Sequence, residues 1–215
     1  MNTRAIAGRV LLRITEEGAY SNVLLPEATR DLSQPDRGFV YRLVTDALRN
    51  LRRVDRAIEA ASGRDIDGLD PEIHATLRIA VAELASDPKD QVYATVNESV
   101  EAVRELGKPR AAGFVNAVLR RLSREGFRHD DSSPAVAFAV PDWLFDAFTA
   151  AHGDEEAHLL LAGLRRPGPA TPIRVRPGGR PPQGAKPVPG IEGAYYTDGP
   201  VRTGHGFTYS DAAST

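Results

Sequence analysis

The sequence predicts an all-α helical bundle over residues 1–127, a linker over 128–140, and a small α+β segment over 141–215 with two helices and a few short strands. Three observations predict it. Apolar residues recur at helical spacing as far as Phe127, Gly and Pro fall mostly at the ends of those patterns, and helical spacing is lost from Arg165 onward.

Ile6, Val10 and Ile14 set a first helix that stops near Gly18. Asp36 is positioned to cap a second, long helix with Val40, Leu43, Val44, Ala47, Leu48 and Leu51 on its inner face. Val54, Ala57, Ile58 and Ala61 continue the pattern to Gly63. Asp70-Pro71 reads as an N-cap followed by proline at the first helical position, ahead of Ile73, Leu77, Val81 and Leu84. Thr95 and Glu98 have capping-box spacing before Val96, Val100, Val103 and Leu106, and Gly107 and Pro109 end that helix. Val115, Val118, Leu119 and Leu122 form the last face of the bundle.

Beyond the polar stretch His129 to Ser133, Pro141 opens a helix with Leu144, Ala147, Phe148 and Ala151 on one face. Asp154 caps another, with Ala157, Leu160, Leu161 and Leu164 inward. Pro172 to Arg176, Ala194 to Thr197 and Phe207 to Tyr209 read as strands, and Pro177 to Gly190 as a Pro/Gly-rich loop.

Composition narrows the function classes. With 41% hydrophobic and 26% charged residues the chain is an ordinary globular protein. A net charge of −2 excludes a uniformly basic nucleic-acid binder and leaves a local patch as the route to RNA. No apolar run approaches the ~20 residues that span a bilayer, and the N-terminus lacks a signal-peptide core, so a cytoplasmic protein is expected. The absence of cysteine excludes thiolate zinc sites and thiol nucleophiles, and the five scattered histidines predict no metal site.

Four stretches, DRGFVYRLV (Asp36 to Val44), LRIAVAEL (Leu77 to Leu84), VNESVEAVRELG (Val96 to Gly107) and FVNAVLRRL (Phe114 to Leu122), give the helical part its specific character. In order and spacing they resemble the NusB family of RNA-binding domains. VPDWL (Val140 to Leu144), RRPGPATPIRVRP (Arg165 to Pro177) and FTYSDAAS (Phe207 to Ser214) are similar to segments that precede and open the catalytic domain of RsmB/Sun-type rRNA (cytosine-C5) methyltransferases. SNVLLP (Ser21 to Pro26) also suits those enzymes, which carry a NusB-like domain in front. Val140 stands where that pattern has His, Arg176 where it has Asn, and the loop 177–190 where it has a helix.

The resemblance implies a chain that positions small-subunit rRNA and ends before the catalytic domain. Its chemistry adds a cysteine thiolate to carbon 6 of cytosine, so that carbon 5 can attack the methyl sulfonium. This sequence has no cysteine. Its close glycines, Gly178-Gly179 and Gly204-His205-Gly206, precede no apolar helix of the kind a phosphate- or nucleoside-binding turn requires. No catalytic, cofactor-binding or metal residues are therefore assigned, and S-adenosylmethionine is expected only in the missing domain.

Candidate RNA contacts fall in three arginine sets. Arg49, Arg52, Arg53 and Arg56 form one stripe if helical, with Asp46, Asp55 and Glu59 as counter-charges should it be a solvated face. Arg4 and Arg9, with Arg13, lie in the first helix, where the resemblance implies an Arg-rich RNA-contacting segment. Arg120, Arg121 and Arg124 are the third set, for which charge at a helix C-terminus is the alternative use. Asn116 is expected as a buried amide, and Trp143 as a core or inter-domain anchor, with a base-stacking platform as the alternative. Two other functions stay open: an antitermination factor that binds RNA with a small ribosomal protein, and a protein–protein module without RNA binding. The oligomeric state is left undetermined.

Overall fold

A computed structural model describes residues 2–86, 91–126, 133–165, 171–176, 178–197 and 207–209. The first helix, α1 (Thr3–Glu17), starts where the Asn2 side chain accepts hydrogen bonds from the backbone N–H of Arg4 and Ala5. It ends at Gly18, whose φ of 67° is the left-handed cap that glycine adopts without strain. Gly18→Ala is expected to lower stability by about 1 kcal/mol, read as a lower melting temperature.

Then come α2 (Ser21–Ala28), α3 (Gln34–Arg49) and α4 (Leu51–Ser62). The periodicity missed α2 because eight residues hold too few turns to show a face; Leu24 and Leu25 are its buried pair. The cap of α3 is Ser33, not Asp36. Its hydroxyl accepts from the Asp36 N–H and donates to the Asp36 carboxylate at 2.6 Å. The expected continuity of α3 into α4 is interrupted at Asn50, with φ −119° and ψ 18°.

Next are α5 (Pro71–Ser86), α6 (Val92–Glu105) and α7 (Ala112–Glu125). Pro71 opens α5 as predicted, but α6 begins ahead of Thr95, so the Thr95/Glu98 capping box does not form. Thr95 is buried inside the helix instead.

At the centre stands α5, which packs against α1, α3, α4, α6 and α7. His74 to Glu83 are buried without a break, the pattern of a helix enclosed on all sides. A single amphipathic face was expected, yet Ile73 and Leu84 at its ends are only half-buried. The expected faces of α4 (Val54, Ala57, Ile58, Ala61) and α7 (Val115, Val118, Leu119, Leu122) lie wholly in the core.

A short helix, α8 (Pro134–Ala137), occupies part of the expected linker and buries Ala135 and Val136. The helices α9 (Asp142–His152) and α10 (Asp154–Arg165) follow. On α9, Leu144 and Phe148 are half-buried while Ala147 and Ala151 are exposed. On α10, Ala157 and Leu161 are buried, whereas Leu160 and Leu164 face solvent, contrary to the expected inward face. The chain divides into two compact units, Met1–His158 and Leu159–Thr215, so α8 and α9 group with the bundle.

In the second unit β1 (Thr171–Val175), β2 (Lys186–Pro187), β3 (Ala194–Thr197) and β4 (Phe207–Tyr209) form an antiparallel sheet ordered β2-β3-β1-β4. Three of these strands match the expected ones. The fourth, β2, lies inside the segment expected to be loop. No described helix is long and apolar enough to cross a membrane.

Candidate nucleic-acid interface

The three arginine sets separate once side chains are placed. Arg4 turns inward. Its Nε donates to Glu83 Oε2 at 2.7 Å, its other arm reaches Glu83 Oε1, and its guanidinium lies 5.2 Å from the centre of the Phe39 ring. Thr95 Oγ1 donates to the same Glu83, whose side chain is fully buried. Arg4 is thus the buried cation that neutralises a core carboxylate, and its expected exposure to RNA is not met.

Arg9 and Arg13 remain exposed on α1. They line a groove of about 370 Å³ with Ile6, Val10, Leu24, Glu27 and Ala28, which places α2 as its second wall. Arg9 Nη2 donates to the carbonyl of Glu105 at 3.2 Å, and Arg13 pairs with Glu17 across one helical turn. Both contacts are solvent-exposed, where such pairs contribute little and release their cation readily.

The second set does not form one stripe. Arg49 closes α3 on the far side of the Asn50 break, while Arg52, Arg53 and Arg56 belong to α4. Arg52 ties α4 to the start of α9, donating to Val140 O at 2.8 Å and to Asp142 at 2.7 Å. That hydrogen bond is the main cause holding the Asp142 carboxyl below its ordinary pKa. Arg56 pairs with Glu59, and Arg53 is half-buried and engaged.

Asp55, expected as a solvent counter-charge, points into the bundle. It accepts from Arg78 Nε at 2.7 Å, Arg78 Nη2 at 2.8 Å and His74 Nε2 at 2.9 Å. Burial alone would raise its pKa, but the hydrogen bonds and charges of Arg78 and His74 outweigh it and leave the carboxyl below the usual range. Of the three, Arg78 is not named from the sequence, Asp55 reads there as a surface counter-charge, and His74 only as one of five scattered histidines. The available signal was a histidine and an arginine at i and i+4 inside a helix with long apolar runs.

Arg120, Arg121 and Arg124 are exposed at the end of α7. Arg120 donates to Asn116 Oδ1, so the expected buried amide is instead a half-buried acceptor for this set. Arg121 pairs with Glu125 and reaches the Ala61 carbonyl at 3.3 Å, which joins this set to the end of α4. The Arg121 hydrogen bond is the main cause of a lowered Glu125 pKa. The fold therefore sets Arg121 against the C-terminal end of α4 and leaves Arg9 and Arg13 against α6 and α2.

Two further cations were not foreseen. Arg64 lies 4.8 Å from the centre of the Phe114 ring, and both it and Arg110 line a second groove with Asp67, Asp70 and Ile73. Trp143 is 69% exposed, which removes the core reading but not the inter-domain or base-stacking one. No described His, Asp or Glu group is arranged to hold a metal. Gly178 has φ 79° in a turn that leads through loop to β2 rather than into a helix, so Gly178-Gly179 does not fit a nucleoside-binding turn. Gly204 to Gly206 lie outside the described residues.

Comparison with known proteins extends this picture. A ribosomal RNA small subunit methyltransferase B of Xanthomonas campestris is 34% identical over 166 residues, covering 76% of this chain and 36% of that protein. The protein of the same name from Thermus thermophilus is 33% identical over 207 residues, covering 92% of this chain and 45% of that protein. The chain thus spans less than half the length of these relatives, matching their N-terminal part. A chain from the crystal structure of antitermination factors NusB and NusE in complex with dsRNA shares the bundle, with a TM-score of 0.52 and 25% identity over 58% of this chain and 95% of that one. The family model described as the NusB family matches residues 1–124, more than half of the sequence, and this chain belongs to that family.

Proposed function

We propose that this chain is the RNA-binding N-terminal portion of an S-adenosylmethionine-dependent rRNA (cytosine-C5) methyltransferase, and that it positions small-subunit rRNA for a catalytic domain outside these residues. One observation carries the reading. The likeness to the Thermus thermophilus methyltransferase runs through 92% of the chain, past the bundle and into the segment that forms the sheet. A free-standing antitermination factor accounts only for the bundle, since the NusB structure covers 58% of the chain.

Within the bundle, Arg9 and Arg13 are the cations best placed to meet phosphate, with Arg120, Arg121 and Arg124 as a second patch on the α4 side. Guanidinium groups on a rigid helix present fixed forks to phosphate oxygens and planes to unpaired bases. The methyl-transfer step needs a thiolate, which these 215 residues do not contain, so it falls to the catalytic domain, where the cofactor would bind.

The test is a salt titration of binding to small-subunit rRNA fragments, followed by fluorescence anisotropy. Arg9→Glu combined with Arg13→Glu is expected to weaken binding by about tenfold and to flatten the salt dependence by about one contact per arginine. Unfolding midpoints should be unchanged, because both residues are exposed. Retention of full affinity by this variant and by Arg121→Glu/Arg124→Glu would sink the proposal.

A further inference from the structure

The antiparallel register sorts the side chains of the small sheet onto two faces, because directly paired residues point the same way. Ile173 is fully buried and pairs with Tyr195, while Thr197, two positions along β3, is also buried. That face is therefore the inner one. The other face carries Lys186, Tyr196 and Pro172 in one row across β2, β3 and β1, with Arg174 and Ala194 in the next row.

Arg174 and Lys186 are exposed, and Tyr196 is half-exposed. Lys186 sits directly beside Tyr196 in register, and Arg174 lies diagonally from it, a separation of roughly 7–8 Å between strand positions. Ala194, the partner of Arg174, adds only a methyl group beside it. Tyr196, half-buried, therefore shares this face with two exposed cations.

Charge marks the occupant. From Thr171 to Thr197 the sequence holds Arg174, Arg176, Arg180 and Lys186 against Glu192 alone, an excess of positive charge in a chain whose net charge is −2. A tyrosine platform between cations suits a base with its phosphates. The planar base stacks on the ring, and the phosphates on either side of it reach the cations. A peptide partner would use the same face through acidic side chains, without need of the ring plane.

We propose that the outer face of this sheet is a second RNA site, in which an unpaired nucleotide stacks on Tyr196 while Arg174 and Lys186 hold its flanking phosphates. The choice of RNA as ligand rests on the function proposed above. The site itself is separate from the arginines of the bundle and can fail without them. A duplex is a poor ligand here, because its bases are already stacked.

The test compares a fluorescein-labelled single-stranded RNA 12-mer with a hairpin whose stem pairs the same bases, using the full chain. Tyr196→Ala is expected to weaken single-strand binding by about tenfold and hairpin binding by less than about twofold, while Tyr196→Phe stays within about twofold of the unaltered chain. Arg174→Glu/Lys186→Glu, which changes only exposed side chains, should weaken both probes and lower the salt slope, and it keeps the test open if Tyr196→Ala unfolds the sheet. Crosslinking of a 4-thiouridine 12-mer should map to β3. Unchanged single-strand affinity in these variants, alongside a loss in Arg9→Glu/Arg13→Glu, overturns the sheet site and leaves the bundle reading standing. Binding of an acidic peptide in place of RNA, abolished by Arg174→Glu/Lys186→Glu, also overturns it. Failure of the unaltered chain to bind either RNA overturns both.

Discussion

Replacing Glu83 with alanine is expected to lower the unfolding free energy by about 3–5 kcal/mol, the cost of leaving a buried cation without its partner. Arg4 is 12% exposed at its side chain, and Glu83 is its bidentate acceptor. The carboxylate also takes the Thr95 hydroxyl, so one residue of α5 ties together α1 and α6. Its removal strands the Arg4 guanidinium over Phe39 with no other described carboxylate paired to it. The measurement is the urea midpoint, with the slope checked for constancy. Changing Arg4 and Glu83 together to Met and Leu should recover most of the loss, because an apolar pair of similar volume carries no desolvation penalty. A loss below about 1 kcal/mol for Glu83→Ala, the level of an exposed pair, would contradict the buried arrangement.

The second large effect is at Asp55. Among the described residues Asp55 is the one carboxylate that meets Arg78, which is 10% exposed at its side chain, so Asp55→Ala strands both Arg78 and His74. At neutral pH a loss of about 3–5 kcal/mol is expected. The pH dependence gives an independent check. The folded-state pKa of Asp55 lies below its ordinary value, so the unfolded chain binds its proton first as pH falls. The stability Asp55 contributes is present above the unfolded carboxylate pKa of about 3.9 and is lost as pH drops through the folded value. Urea midpoints measured from pH 7 to pH 3 should fall for the unaltered protein and fall less for Asp55→Ala. Identical acid slopes would show that Asp55 is not held in this way.

These two residues also show where sequence reasoning stopped. Glu83 sits in LRIAVAEL, a run that reads as core, and Asp55 sits among the α4 arginines, where it reads as a surface counter-charge. Helical spacing gives the angle of a side chain on its own helix but not what stands opposite it. With α5 enclosed on all sides, its buried charged residues and His74 needed partners, and those came from α1, α4 and α6, while Thr76 donates to the Glu72 carbonyl of α5 itself. The same reason removes Arg4 from the candidate RNA contacts while its neighbour Arg9, on another face of α1, stays exposed.

Local chemistry was readable wherever the cause was local. Gly18 and Gly63 end helices in the left-handed conformation, Pro71 opens one, and the faces of α4 and α7 bury as their spacing requires. Reading failed where short elements gain their order from packing, as in α2, α8 and β2. It also failed on α9 and α10, where Ala147, Ala151, Leu160 and Leu164 are exposed although helical spacing put them on inner faces.

The sequence by itself determined the helical bundle, the strands around Ile173, Tyr195 and Thr208, the family, and the lack of a thiol nucleophile. Those follow from periodicity, motif spacing and composition, which are properties of the chain read in order. Only the tertiary structure decided which arginines are spent on buried carboxylates and which face solvent, and that Tyr196, Arg174 and Lys186 share one side of a sheet. Charge pairing across helices and register between strands join residues far apart in sequence, and no one-dimensional pattern encodes those meetings.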